Sequence, residues 1–454
     1  MLSEIITQAE TSLEEVFEAR GINQAAREAK AVMRSSKMDG ISLLETLTFG
    51  FLQNPQASLS QLCQTAEDVG VEISKQGLDE RMTQPAVDFL EGCLGKVLQR
   101  LQVRSGLAPE VVKQFSEVYL QDSTVQSLSS SLQELFPGSG GNAPEAALKI
   151  QVLFGLLSGN LIHVSLQTGR SSDARYMEHV GCLEKGSLLI QDLGFFNLEA
   201  LRVVQDRDAF FLMRWRQDVA VFLADSPATP LDMLRFLSTQ TQAVAEYDVQ
   251  VGSTARLACR MIAVRLPQGV VDRRRQRLRR AAQRRGDTLS EHFLALCAWN
   301  VFLTNLSPQQ LTVRQILACY ALRWQVELIF KLWKSQAGLK YLAAKRIGRV
   351  LCELYAKLIG IALTHFLIAP LRFYLIDQKI EISLPKAHKI LQHCARELLT
   401  QIGRDHLALH QLLENLFHRV LHSATKDKRV KKPSSLQRLA LADQCDIATL
   451  FPLA

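Results

Sequence analysis

The chain has 454 residues, of which 47% are hydrophobic and 22% charged, as expected for a globular protein of two to four domains. The nine cysteines include no CxxC pair, which argues against a disulfide framework or a zinc module and indicates a reducing, cytosolic setting. The N-terminus is acidic and lacks the apolar segment of a secretory signal. The formal net charge of +8 is compatible with a polyanionic partner but identifies none.

The first 105 residues are predicted to be helical throughout. Within them, GVEISKQGLDERMTQPAVDFLEGCLGKVL contains two helical stretches joined near Ser74–Gly77, in the manner of a helix-turn-helix. An ordinary helical bundle is the alternative interpretation of this segment.

From about residue 112 the pattern changes to alternating strands and helices. FSEVYLQDST predicts a strand that ends at Asp122, and the region from Ala147 to Gly169 predicts a hairpin that turns at Ser158-Gly159-Asn160. SSDARYMEHVGCLEK predicts a helix with a serine cap. A strand ending at Asp192, the helix NLEALRVV and the strand DAFFLMRWR follow. This order indicates a mixed α/β sheet with helices packed on it.

Residues 206 to about 298 are predicted to form a mainly β insertion with a basic helical arm. The arm carries eight arginines between Arg273 and Arg285, and WNVFLTNL then resumes the sheet. After about residue 376 the chain is predicted to be helical again. The longest apolar run begins at Leu351 and is interrupted by charged residues and Pro370, so it predicts a buried helix pair and no membrane span.

The segment CYALRWQVELIFKLWKSQAG predicts one helix with two different faces. On a continuous helix, one stripe of about 60° holds Tyr320, Arg323, Glu327 and Lys334. The opposite side is apolar and contains Leu322, Val326, Ile329 and Trp333. The polar stripe is typical either of a solvated face with an Arg323–Glu327 salt bridge or of a site.

Three acids are candidates for chemistry. Asp122 and Asp192 end predicted strands, and sites in open α/β sheets gather at the carboxyl ends of strands, where Glu327 could join them. Three converging carboxylates suit Mg²⁺, and two such ions support in-line phosphoryl displacement. The alternatives are a turn or helix cap for Asp122, a turn for Asp192, and the surface pair with Arg323 for Glu327.

The spacing Tyr320, two residues, Arg323, three residues, Glu327, six residues, Lys334 resembles the YREK signature of bacterial DDE transposases of the insertion-sequence family four group. VYLQDST and LLIQDLGFF are similar to the first and second aspartate motifs of that family, and VFLTNL to the strand before its YREK helix. The resemblance spans roughly residues 118 to 348 and includes the long β insertion. Leu193 is a departure, because many members have arginine there.

The resemblance implies that Asp122, Asp192 and Glu327 are the metal ligands. It also implies that Tyr320, Arg323 and Lys334 hold phosphates of the transposon end, and that Trp299 stacks on a flipped base; the alternative for Trp299 is a place in the sheet core. The density of the arginine run favours contact with phosphate backbones through Arg273, Arg274, Arg275 and Arg277, with a solvated helix face as the alternative.

The implied fold is an RNase H-like α/β core, interrupted by the mainly β insertion and flanked by helical domains. The implied domains are a DNA-binding region at 1–105, a first core part at 106–205, the insertion at 206–295, a second core part at 296–375 and a dimerising region at 376–454. The implied activity is Mg²⁺-dependent cut-and-paste transposition through a hairpin intermediate, with two ions and with Mn²⁺ as a substitute. The implied partners are inverted-repeat DNA, target DNA and a second copy of the chain, in the bacterial cytoplasm at the nucleoid and at no membrane.

Two other functions remain open on the sequence. One is an RNase H-like endonuclease that cleaves DNA without strand transfer, and the other is a catalytically silent DNA-binding protein derived from a transposase. The histidine pairs His406/His410 and His418/His422 share helical i, i+4 spacing. Zinc would need further ligands, and the sequence shows none nearby, so we expect ordinary helix positions for them.

Overall fold

The computed structural model describes residues 2–33, 37–100, 110–141, 143–342, 344–374, 380–426, 438–439 and 441–443. The chain forms two compact units, each made of three chain segments. We call residues 1–108, 123–171 and 327–428 the helical unit, and residues 109–122, 172–326 and 429–454 the sheet unit. Most of the predicted basic stretch after Lys426, together with Cys445, lies outside the described residues.

The described residues contain fifteen α-helices: α1 Leu2–Val16, α2 Ala19–Glu28, α3 Gly40–Gln53, α4 Leu59–Asp68, α5 Lys75–Arg81, α6 Gln84–Arg100, α7 Leu198–Asp206, α8 Met233–Ser238, α9 Gln268–Arg285, α10 Glu291–Leu296, α11 Val313–Ala321, α12 Trp324–Ser335, α13 Ile347–Tyr374, α14 Leu384–Gln401 and α15 His406–Ser423. Several begin at side-chain caps. Ser58 with Gln61, and Thr312 with Gln315, form capping boxes at α4 and α11, which satisfy backbone N–H groups that the first turn leaves open.

Nine strands form a single sheet: β1 Val118–Ser127, β2 Ala147–Gly155, β3 Leu161–Thr168, β4 Leu188–Gln191, β5 Phe210–Arg214, β6 Val221–Leu223, β7 Val244–Val251, β8 Leu257–Arg265 and β9 Trp299–Thr304. Their order is β3-β2-β1-β4-β5-β9-β8-β7-β6. β1, β4 and β5 run parallel, while β2 pairs antiparallel with β3, and the series β5-β9-β8-β7-β6 is antiparallel throughout. The predicted mixed α/β class is confirmed, and β6–β8, which fall within the predicted insertion, extend this same sheet.

Sequence signals placed the hairpin and the helix after β4 correctly. β2 and β3 pair antiparallel, and Gly159 in their connection has φ 75°, a conformation that glycine adopts without steric cost. α7 begins after Asn197, whose side chain accepts hydrogen bonds from the backbone N–H groups of Glu199 and Ala200. Both elements rest on local signals, so they could be predicted without knowledge of their partners.

The predicted helix over residues 171–185 is wrong. The segment forms two short 3-10 turns, Asp173–Arg175 and Glu178–Cys182, and Ser172 makes no capping hydrogen bond. Tyr176 between them is extended, with φ −80° and ψ 120°. Its buried ring stacks on His179 at 5.4 Å, and Asn197 donates to the carbonyl of Ala174 at 2.8 Å. Tertiary contacts therefore replace the helical hydrogen bonds here.

Two helix boundaries in the helical unit also differ from prediction. Ser74 is the cap of α5, since its hydroxyl accepts from the N–H of Gly77, and the second break falls at Met82 and Thr83. The apolar run after Leu351 is one helix, α13, and no helix pair, because it continues through Pro370. Pro370 lies four residues before the end of α13, where one missing N–H bond disturbs few others.

The core of the helical unit is built around α13, which packs against α3 and α6. Leu354, Leu358 and Ile359 are fully buried. A 25-residue part of α13 is long and apolar enough to cross a membrane, but almost all of it is buried inside the protein, as in the central helix of a globular core. Its burial is consistent with the prediction of a buried segment.

Candidate active site and DNA-contacting residues

The first two candidate acids are brought side by side by the pairing of β1 with β4. The parallel register runs from Val118 with Leu188 to Gln121 with Gln191. The next residue on each strand is an aspartate, so Asp122 and Asp192 follow at equivalent positions of neighbouring strands, whose spacing is about 4.8 Å. The sequence predicted the two aspartates separately, at the ends of two strands. The register of β1 with β4 shows that they are neighbours.

The turn or cap alternative is not supported for Asp122, whereas Asp192 does begin a turn, because its backbone carbonyl accepts from the N–H of Phe195 at 3.1 Å. The prediction that the strand ends at Asp122 is wrong, because β1 continues to Ser127 and Asp122 lies inside it. Asp192 precedes the 3-10 turn Leu193–Phe195, but its side chain makes no capping hydrogen bond to that turn. Its carboxylate is 45% exposed and is open to a ligand.

The guanidinium of Arg323 lies against both carboxylates. Its Nη1 is 3.8 Å from Asp122 Oδ2 and its Nε is 3.9 Å from Asp192 Oδ1. Arg323 and Asp122 are mostly buried, at 20% and 18% exposure. Arg323 is therefore engaged with the two strand-end aspartates, and its pairing with Glu327 stays a prediction.

Arg323 reaches this position because the predicted single helix is broken. α11 ends at Ala321 and α12 begins at Trp324. Across the junction the backbone bonds are of the i to i−3 type, from Arg323 N to Tyr320 O at 3.2 Å and from Gln325 N to Leu322 O at 2.8 Å. A 3-10 turn rotates by about 120° per residue, more than the 100° of an α-helix. The single polar stripe that was predicted for a continuous α-helix is therefore interrupted at Arg323.

Tyr320 lies at the end of α11, on the sheet side of Arg323. Its ring packs edge-on against Phe302 of β9 at 4.9 Å. Burial, with a smaller contribution from the negative charge of Asp192, raises the pKa of Tyr320 to about 12. The neighbouring Arg214 and Arg323 oppose that shift. The phenol therefore keeps its proton at neutral pH.

Arg214 is a candidate that sequence reasoning missed. It is half-buried at the end of β5, near Tyr320 and Arg274, and its guanidinium makes no hydrogen bond or ion pair to any residue in the described part of the chain. Burial, and then the nearby charge of Arg214, lower the pKa of Arg274 to about 10. No local motif marks Arg214, since only the pairing of β5 with β9 brings it beside Tyr320.

Glu327 and Lys334 lie on α12 within the helical unit. Glu327 occupies the first turn and Lys334 the last, which is the favourable arrangement for the helix dipole. The predicted apolar side is confirmed, because Val326, Ile329 and Trp333 are buried. Burial lowers the pKa of Lys334, and its ammonium has no hydrogen-bond or ion-pair partner among the described residues.

Trp299 begins β9 and is only 8% exposed. The guanidinium of Arg265, its neighbour on β8, lies 4.8 Å from the ring centroid in a cation–π contact. The ring is thus buried at the sheet, which agrees with the alternative that Trp299 is a tryptophan of the sheet core.

The predicted basic arm is α9, and its arginines fall into two groups. Arg274 donates to the side chain of Asn300 at 2.9 Å, and Arg275 donates to the carbonyl of Leu294 at 3.0 Å, so these two hold the helix on the protein. A second group is exposed and lies within about 60° on one face: Arg273, Arg277, Arg280 and Arg284. We call these four the arginine row. It extends about 16 Å along the helix.

Comparison with known proteins supports the family suggested by the sequence. Residues 113–363, more than half of the chain, match the family described as transposase DDE domain. The transposase for insertion sequence element IS231F of Bacillus thuringiensis subsp. israelensis is 27% identical over 432 residues, which cover 90% of each chain. The transposase for IS1151 of Clostridium perfringens is 24% identical over 451 residues, 95% of each chain.

Among solved structures, the piggyBac transposase synaptic complex with hairpin DNA matches 93% of this chain and 86% of its own, with a TM-score of 0.47 and 10% identity. The family match spans β1 and β4 with their two aspartates, as well as Arg323 and Glu327. The chain therefore belongs to the family of transposases with a DDE domain.

Proposed function

We propose that this transposase moves an insertion sequence by cut-and-paste DNA transposition, with the strands around Asp122 and Asp192 forming an RNase H-like catalytic core. The reaction begins with metal-dependent hydrolysis of one strand at the transposon end, which leaves a 3′-hydroxyl. That hydroxyl attacks the opposite strand to form a hairpin, and the reopened end is then joined to target DNA.

The observation that carries the proposal is the placement of two aspartates on neighbouring parallel strands with one arginine against both. Two carboxylates at this spacing repel each other unless a cation intervenes, and Arg323 supplies only one positive charge. The arrangement suits a site in which the two carboxylates pair with the guanidinium of Arg323 when no metal is bound, and with divalent ions when metal is bound.

The side chains fit a magnesium or manganese site. Asp122, Asp192 and Glu327 would hold the metal, and all of them offer carboxylate oxygens, the donors that Mg²⁺ prefers. The carboxylate of Asp192 is not used to cap the turn that follows it, so it remains available as a ligand. When bound, two such ions activate water and stabilise the leaving oxygen of an in-line displacement.

Several cationic and polar side chains suit binding of DNA phosphates. Burial, and then the nearby positive charge of Arg214, lower the pKa of Arg274, and a bound phosphate would relieve the repulsion between the two guanidinium groups. Arg323 can offer a planar fork of donors, whereas Lys334 offers a compact charge. Tyr320 adds a neutral donor that orients the backbone without adding charge. We assign these residues to the strand that is cut.

Trp299 and the arginine row extend the proposed DNA surface. A flipped base would stack on Trp299 by taking the place of the Arg265 guanidinium on its ring. The arginine row would follow a phosphate backbone without reading its sequence, since exposed guanidinium groups bind phosphates of any sequence. Arg274 and Arg275 fix the arm instead of leading the contact.

The remaining assignments follow the family. We propose that residues 1–105 bind the inverted repeat and that residues 376–454 contribute to a homodimer on DNA, while 106–205 and 296–375 form the core around the insertion at 206–295. The protein would act in the bacterial cytoplasm, at the nucleoid.

The test is cleavage and joining of the flanking inverted-repeat DNA with Mg²⁺. We expect wild type to cut the transposon end and to join pre-cleaved ends to a supercoiled plasmid. Asp122→Asn, Asp192→Asn and Glu327→Gln should each lose at least about 100-fold in cutting rate, because metal stabilisation is worth several kcal/mol. Asp206→Asn, at an exposed position on α7, is the matched control and should cut normally.

Two results would overturn the proposal. Cutting without joining would identify an endonuclease, and binding of the repeat without cutting by wild type would identify a silent DNA-binding protein. Equal cutting by Asp122→Asn and Asp206→Asn would show that the assigned site is wrong.

A further inference from the structure

The helical unit contains a second cluster of metal-ligand side chains, at the packing of α1 against α15. Glu10 and Glu14 lie one turn apart on α1, and His406 and His410 lie one turn apart on α15. Spacing of i, i+4 places both members of each pair on one face of their helix. The sequence separates the two pairs by nearly the whole chain, and the fold brings them together.

The geometry of the cluster is that of converging ligands. One ligand atom each from Glu10, Glu14 and His406 lies within 4.8 Å of the other two. Nδ1 of His406 is 3.6 Å from Glu14 Oε1 and contacts Glu10 Oε1. In a tetrahedral zinc site with bonds of about 2.05 Å, neighbouring ligand atoms are about 3.3 Å apart, so small side-chain adjustments suffice.

Glu10 is the unusual member of the cluster. Its side chain is only 3% exposed, and its buried Oε1 makes no hydrogen bond, its polar neighbour being Nδ1 of His406. The other oxygen, Oε2, accepts from Nδ1 of His410 at 2.9 Å. A buried carboxylate oxygen facing an imidazole nitrogen requires a proton or a metal ion between them, because two lone pairs repel.

We propose that this cluster is a structural zinc site that ties α1 to α15. Glu10, Glu14 and the imidazole of His406 supply three ligands, with water in a fourth position, and His410 orients Glu10 through its hydrogen bond. The imidazole ligand selects a borderline transition metal such as Zn²⁺ over Mg²⁺. The partial exposure of Glu14 (38%) and His406 (73%) leaves a path for the ion to enter.

The matched control is on the same helix. His418 and His422 repeat the i, i+4 spacing and are exposed, and neither forms an ion pair with a carboxylate among the residues that the structure describes. Glu14→Gln with His406→Ala changes two partly exposed side chains and spares buried Glu10, so it should fold. Folding is confirmed if, in chelator, each variant has the same circular dichroism spectrum and the same Tm as wild type.

The experiment titrates the full chain with Zn²⁺, and with Co²⁺ as a spectroscopic probe, in excess Mg²⁺. We expect one tight equivalent per chain, a tetrahedral Co²⁺ absorption band, and a rise in Tm of about 4 °C or more when Zn²⁺ is well above its Kd. All three should persist in His418→Ala/His422→Ala and in Asp122→Asn, which separates this site from the catalytic acids.

The Glu14→Gln/His406→Ala chain should lose that equivalent, or bind it at least about 10-fold more weakly, and should lose the Zn²⁺-dependent rise in Tm. The proposal is overturned if wild type binds no tight equivalent, since the cluster is then a proton-bridged network. It is equally overturned if the double variant keeps the full stoichiometry and Tm response.

Discussion

Asp122 and Asp192 occupy equivalent positions on two neighbouring parallel strands, each directly after a buried glutamine of the last register pair. The backbones of neighbouring strands lie about 4.8 Å apart, so two negative charges at these positions repel each other. The guanidinium of Arg323 lies within 4 Å of both and reduces that repulsion. The same arginine therefore competes with any metal ion that the aspartates bind.

Arg323→Ala should make the protein more responsive to Mg²⁺. Without the guanidinium the two carboxylates repel more strongly, so Tm in chelator should fall and the rise on adding Mg²⁺ should exceed that of wild type. Differential scanning fluorimetry with and without Mg²⁺ measures both. Arg323→Lys keeps a positive charge and should give an intermediate shift. Identical Mg²⁺ responses in Arg323→Ala and wild type would contradict the competition.

Tyr320→Phe should slow cleavage by roughly 10- to 100-fold, the effect of losing one hydrogen bond to a charged group. Burial raises the pKa of Tyr320 to about 12, so the phenol stays protonated from pH 7 to about pH 10. The ratio of wild-type to variant rates should therefore be constant from about pH 7 to pH 10. A ratio that declines near the ordinary tyrosine pKa of about 10 would show that the hydroxyl ionises there.

The arginine row should control the salt dependence of DNA binding. Arg277→Gln/Arg280→Gln is expected to lower affinity for any duplex and to reduce the slope of log K against log salt by about 0.9 for each lost phosphate contact. Arg279→Gln is the control, because Arg279 is equally exposed on α9 but lies about 120° away from Arg273. Equal slopes for the control and the row variant would remove the row from the DNA surface.

His388 should make the helical unit sensitive to acid. The side chain is buried in α14, its Nδ1 lies 3.2 Å from the hydroxyl of Thr364, and burial lowers its pKa from 6.5 to about 4. Because the unfolded chain binds the proton more tightly, this contribution to stability is present above pH 6.5 and is lost as pH falls toward 4. The expected loss between pH 7 and pH 5 is about 2 kcal/mol.

Denaturant unfolding of wild type and His388→Gln at several pH values tests this. The difference in free energy of unfolding between the two chains should shrink by about that amount, since glutamine does not titrate. His393→Gln, at an exposed position of the same helix, should show no such change in its difference from wild type. A constant gap between wild type and His388→Gln would mean that the histidine titrates normally in the folded chain.

Local signals predicted much of the sheet and the acids. The alternating run before Asp122, the apolar run before Asp192 and the hairpin residues at 158–160 each act over a few positions, and the observed strands follow them. The same logic failed at residues 171–185, where the stacking of Tyr176 on His179 stabilises an extended residue against helix propensity. It failed again at Arg323, where ion pairs to two strands accompany a break in the helix.

The amino-acid sequence by itself predicted most strands of the sheet and marked Asp122, Asp192 and Glu327 as candidates, because periodicity, turn residues and fixed separations are local properties. Only the tertiary structure decided which side chains meet. The register of β1 with β4 joins Asp122 to Asp192, β5 brings Arg214 to Tyr320, and the packing of α1 on α15 supplies His406 with carboxylates some 390 residues distant in the chain. Contacts between distant segments depend on how whole faces pack, and no short stretch of sequence contains that information.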